Sequence, residues 1–156
     1  MQPALDYLST FLHLIGMLLF AGGHIWFGVF TAIAERHQRR MDEQVLAAHL
    51  PVLANGFGVG VLLLFGSGLL KLLLWGEPGL IFLPDLYGWI LLSKLLLYMV
   101  IVANGIVIER RYLPVVRVVG GEMSAAWRQV KLRARFNLVL ILIVVALGET
   151  LRFSRL

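Results

Sequence analysis

Apolar residues in this chain are gathered into four long runs, about 5–34, 50–75, 87–108 and 136–153, separated by polar stretches. Each run approaches or exceeds the ~20 apolar residues needed to cross ~30 Å of hydrocarbon. Backbone amides in hydrocarbon have no water to bond, so such runs must close their hydrogen bonds internally, as helices. The pattern predicts an all-α integral membrane protein, a four-transmembrane-helix bundle forming a single domain over 1–156. Pro51 suits the first turn of the second helix, where a missing N–H costs nothing. Gly76, Pro78, Gly79 and Pro84 mark the loop between the second and third helices, and Pro114 with Gly120 and Gly121 interrupts the loop before the fourth.

Composition strengthens this picture. Hydrophobic residues make up 60% of the chain and its mean hydropathy is +0.86, above the roughly half-apolar content of a soluble domain. No Lys or Arg precedes the first run, which is longer than the ~7–15-residue core of a signal peptide, so it reads as a retained helix. With no cysteine, disulfides, Fe–S clusters, thiolate metal sites and thiol catalysis are excluded.

The net charge of +5 is placed by its distribution. Ten basic residues lie in the first and third loops: Arg36, Arg39, Arg40, Arg110, Arg111, Arg117, Arg128, Lys131, Arg133 and Arg135. The opposite side has only Lys71, Arg152 and Arg155. Cytoplasmic loops are the basic ones, so both termini are expected outside, in a bacterial-type inner membrane. The charge then serves topology and anionic lipid, not nucleic acid. Trp75, Tyr87 and Trp89 fall at the outer interface. From Glu122 to Arg135, Met123, Trp127 and Val130 share one face and Arg128, Lys131 and Arg135 another. That segment reads either as an amphipathic helix on the inner leaflet or as a solvated basic loop.

Ionisable groups inside hydrocarbon need a reason to be there. At ~1.5 Å per residue, His13 lies ~12 Å, Lys94 ~10 Å and Glu149 ~6 Å below the outer surface, on three different helices. His24, Asn55, Asn104 and Asn137 form an inner group. His13, Met17, Phe20 and His24 make one stripe on the first helix, expected to face the bundle interior. The asparagines read as interhelical hydrogen-bond glue; Lys94 is open to pairing with Glu149, to snorkelling to the outer surface or to ligating a metal. The glycines of the first two helices read as close packing, with room for a flat cofactor. Imidazole and amine nitrogens ligate haem iron, so His13 and Lys94 at matched depth suit opposite axial positions. His13 and His24, ~16 Å apart along one helix, cannot serve one haem. Thioether with imidazole suits Cu(I), which makes His13, Met17 and His24, with Met99 across the bundle, the alternative metal set.

At these residues the chain resembles a known superfamily. HLIGMLLFAGGHIWFGVF (13–30) looks like the first helix of CopD-type copper-resistance proteins and HemJ-type protoporphyrinogen oxidases. YGWILLSKLLL (87–97) resembles their third helix with its intramembrane lysine, and RARFNLVLILIVVALG (133–148) their last. The HemJ-type likeness implies haem b with His13 and Lys94 as functional residues. The CopD-type likeness implies copper handling, with His24 as the histidine of the GGH stretch. Where HemJ-type proteins carry LPRLF after the first helix this chain reads FTAIAERH, and Leu138 follows Asn137 where they carry an acidic residue. Those differences bear on the substrate more than on the fold or the haem. The function expected is a b-type haem redox protein oxidising a hydrophobic quinol or porphyrinogen-like donor. Copper handling, or a non-catalytic place in a larger membrane complex, stands as the alternative, and a homodimer is open.

Overall fold

A computed structural model describes residues 2–36, 40–74, 86–119 and 125–153, and every described residue is helical. The chain makes four helical rods. The first is α1 (Gln2–Met17) and α2 (Gly23–Arg36), joined by a π turn at Leu18–Gly22. The second is α3 (Arg40–Leu74). The third is α4 (Leu86–Val107) and α5 (Leu113–Val119), joined by a π turn at Ile108–Tyr112, and the fourth is α6 (Ala125–Phe153). Three stretches are long and apolar enough to cross a membrane: Ala4–Arg36, Ala48–Leu74 and Leu86–Val116. The fourth rod carries an unbroken apolar run at 138–147.

The rods extend beyond the hydrophobic runs, and the differences have local causes. The polar stretch expected as the first loop is helical from Arg40, and Pro51 sits inside α3 instead of in its first turn. Residues 40–50 are rich in strong helix formers, and Leu50 anchors them in the core; this outweighs the one backbone bond that Pro51 forfeits. The third helix likewise does not stop at Ile108. Pro114 cannot donate to the carbonyl four residues back, and a π turn just before it re-registers the helix without ending it.

The largest departure concerns 125–135. This segment neither lies on a leaflet nor forms a loop: it is the start of α6. Trp127 and Val130, 1% and 2% exposed, are buried in a cluster with Phe27, Leu50, Leu113, Val116 and Ala134. The basic face is not directed only at lipid. Lys131 and Arg135 hold Glu35 of α2 at 2.8 and 2.5 Å. Trp75, the 76–84 turn residues, Arg39, Gly120, Gly121, Glu122, Met123 and Arg155 lie outside the described residues.

A second cluster of Phe20, Ile101, Leu140 and Ile141, with Phe57, Val61 and Leu64 against it, fills the middle of the bundle. The outside is apolar: Leu18, Leu62, Leu96 and Val139, one from each rod, are between 55% and 73% exposed. α1 packs chiefly on α3, and α4 on α6. The first crossing is set by two glycines. A Cβ on Gly60 would come within 3.0 Å of the Phe20 amide nitrogen, and one on Gly16 within 3.0 Å of the Leu64 nitrogen. Both neighbours are backbone, so neither can yield without moving a helix. Gly60→Ala is therefore expected to destabilise the protein by about 1–2 kcal/mol. Gly66→Ala, whose Cβ would meet nothing within 4 Å, should be neutral or stabilising. Thermal unfolding of both variants in detergent checks this, and equal losses would show that the crossing is loose.

Candidate functional site

The outer group of ionisable residues forms around His13. α1 presents its imidazole to α3, where Nδ1 meets Ser67 Oγ at 2.9 Å. The Ser67 hydroxyl has one proton, which goes to the Leu63 carbonyl at 2.5 Å. With that proton so placed, Ser67 accepts from His13, an assignment that puts a proton on Nδ1 and leaves the neutral ring's lone pair on Nε2. Lys71, one turn along α3 from Ser67, and Lys94 from α4 are close enough for their charges to act on His13. Lys94 is half-buried, and its ammonium lies where a Cβ on Gly148 of α6 would come within 3.2 Å. The glycine makes room for it. Glu149, the next residue, is exposed.

His24 belongs to a different place. It is buried, and its Nδ1 donates to the Phe20 carbonyl at 2.8 Å. The π turn brings this about: the Gly23 amide reaches the carbonyls of both Leu19 and Phe20, and Phe20 also takes the imidazole one turn on. Phe20 meets the His24 ring edge-on at 4.7 Å and Phe57 lies over it at 4.4 Å. A Cβ on Gly23 would collide with the Phe57 ring, so this glycine is what lets the aromatic ring reach the histidine. His24 also lines an apolar cavity of about 190 Å³ between α2, α3, α4 and α6.

The inner asparagines divide. Asn104 donates to Asn137 Oδ1 at 2.7 Å, and Arg133 donates to Asn104 Oδ1 at 2.6 Å, which ties α4 to α6. Asn55 is exposed on the outer face of α3 and takes no part in this network. Met17 is half-buried below His13. Met99 is 65% exposed on the outside of α4, so it does not face Met17 across the bundle. Among the described residues no group of three or more His, Asp or Glu side chains gathers.

No protein-family model matches the chain, and neither a curated protein nor a solved structure matches it.

Several residues of these sites escaped the sequence reading. Ser67 and Lys71 stand four apart on α3, on the same face as each other, but a serine between glycines reads as packing and a lysine near a helix end as an anchor. Arg133 reads as a loop cation because the loop was expected to reach 135. Tyr98, whose hydroxyl donates to the Val61 carbonyl at 2.6 Å, reads as ordinary apolar filler.

Proposed function

We propose that the chain is a b-type haem redox protein of a bacterial-type inner membrane, crossing it four times with both termini outside, and oxidising a hydrophobic quinol or porphyrinogen-like donor. The fourth crossing rests on the apolar run at 138–147 and on the outward Val139, Leu142 and Ile143 of α6, each more than 40% exposed. The orientation rests on the basic loops. Glu35, Lys131 and Arg135 then meet at the cytoplasmic end, with His13, Lys71 and Lys94 toward the other.

The observation that carries the haem reading is the relay from His13 Nδ1 through Ser67 to the Leu63 carbonyl. Ligand histidines characteristically spend their second ring nitrogen on such a partner, which fixes the ring and leaves Nε2 for the iron. The donor set is compatible with the group: His13 offers one nitrogen, and Lys94, once it has lost its proton, would offer a second from another helix. The cavity beside His24, at about 190 Å³, is smaller than the ~300 Å³ of ordinary ligand pockets and does not enclose a macrocycle. The haem reading therefore rests on His13, in the outer half, and not on that cavity. Bound there, it would supply one-electron transfer. The chain's own part would be to hold the imidazole in one tautomer through Ser67, to place the Lys71 ammonium nearby as a charge partner, and to keep water away with the surrounding apolar rods.

The test is the absorption spectrum of detergent-purified protein from haem-replete cells, oxidised and then dithionite-reduced. A Soret band with reduced α and β bands is expected. His13→Ala should lose it, and Ser67→Ala should keep it while binding haem about 10–100-fold more weakly. A colourless wild type, or a full Soret band in His13→Ala, would sink the reading.

A further inference from the structure

The cavity beside His24 is chemically selective, and the iron site makes no use of it. Its volume, about 190 Å³, suits a single six-membered ring; an apolar cavity of about 150 Å³ is enough for benzene. Its lining is mainly apolar, from Phe57, Val61, Ile101 and Leu113 among others, with His24 and Asn137 as buried polar members. The His24 ring is 5% exposed. Its Nδ1–H is committed to the Phe20 carbonyl, and among the described residues nothing bonds to Nε2. The ring is clamped between Phe20 and Phe57, so it cannot readily turn to exchange its nitrogens. The cavity thus holds one fixed, buried ring acceptor without a partner among the described residues; the Glu109 carboxylate, also on its lining, is exposed.

We propose that this cavity binds a single aromatic ring bearing a hydroxyl, a phenol or a hydroquinone head group, whose O–H donates to His24 Nε2. A lone-pair nitrogen has nothing to offer a carbonyl, a methyl or an ether oxygen. The site therefore distinguishes a hydroxylated ring from its isosteres, because the wrong ring leaves a buried acceptor unpaired. The quinol donor of the proposed function belongs to this class. The binding claim itself rests on the cavity alone and is read without reference to haem.

Two glycines make the test clean. Gly58 and Gly105 line the cavity, and a Cβ on either would meet nothing within 4 Å. A Cβ at Gly105 thus has open space, and Gly105→Leu is the variant expected to fill the cavity. The probes are 4-methylphenol and 1,4-dimethylbenzene, equal in size and inert to redox exchange, titrated calorimetrically into full-length protein in detergent. Wild type is expected to bind the phenol at least about tenfold more tightly than the hydrocarbon, corresponding to one hydrogen bond to a buried acceptor. His24→Phe, which keeps the aromatic clamp, should bring the two affinities together, and Gly105→Leu should abolish binding of both. Failure of wild type to bind the phenol, equal affinities in wild type, or undiminished binding in Gly105→Leu would each overturn the proposal. A spectrum without haem beside selective phenol binding would leave this site standing and remove the haem reading alone.

Discussion

Trp127→Ala is expected to lower stability by about 3–5 kcal/mol, the loss that follows deletion of a buried aromatic ring. Trp127 is 1% exposed and sits with Phe27 of α2, Leu50 of α3, Leu113 and Val116 of α5 and Val130 of its own helix. Three of the four rods thus close on it from outside α6. The Phe27 ring meets it edge-on at 6.1 Å, and the Lys131 ammonium stands 5.7 Å from its centroid. Alanine leaves a hole that these neighbours, fixed by their own helices, cannot fill. Chemical denaturation in detergent micelles measures the loss. A membrane-surface helix with an interfacial tryptophan would lose little stability and much lipid affinity. A change below about 1 kcal/mol would therefore place residues 125–135 on the membrane surface after all.

The same residue shows where the sequence was legible and where it was not. Long apolar runs announce themselves through composition, and three of the helical spans follow from length alone. The ends of helices are set by tertiary packing, which leaves a fainter mark. Trp127, Val130 and Ala134 carry the helical spacing of a buried face, but the surrounding Arg128, Lys131, Arg133 and Arg135 make the segment look solvated. Its partner, Glu35, is distant in sequence, and Lys131 and Arg135 reach it only once α2 and α6 are side by side. At the site, depth counting grouped His13 with Lys94 by level along the helices alone. Depth carries no angular information, however. Asn55 and Met99 sit at suitable depths and face outward. Ser67 was invisible because its importance lies in a proton given to the Leu63 carbonyl, and a sequence does not show hydrogen-bond direction.

Asn104→Leu should cost about 2–3 kcal/mol, more than a buried amide ordinarily contributes, because it strands a charge. Arg133 is half-buried, and its Nε has no partner among the described residues. Its guanidinium is held by Asn104 Oδ1 at 2.6 Å and by the face of Tyr112 at 5.2 Å. Asn104 in turn supplies the 2.7 Å bond to Asn137 Oδ1. Leucine matches the volume but leaves the guanidinium with one fewer acceptor and Asn137 with a bare oxygen. Arg133→Met should cost less, since it bares only the Asn104 oxygen, which still has its own amide donating to Asn137. The decisive variant is the double one. With the cation and its acceptor both gone, the stranded charge disappears, so Asn104→Leu with Arg133→Met should cost less than the two losses added, by at least about 1 kcal/mol. Interhelical hydrogen bonds between neutral groups in membranes couple by only ~0.6 kcal/mol on average; the excess expected here comes from the charge on Arg133, because charge-assisted bonds are roughly twice as strong as neutral ones. Strict additivity would mean that water reaches the guanidinium at the inner end of the bundle, and the network would then order the α4–α6 contact without stabilising it.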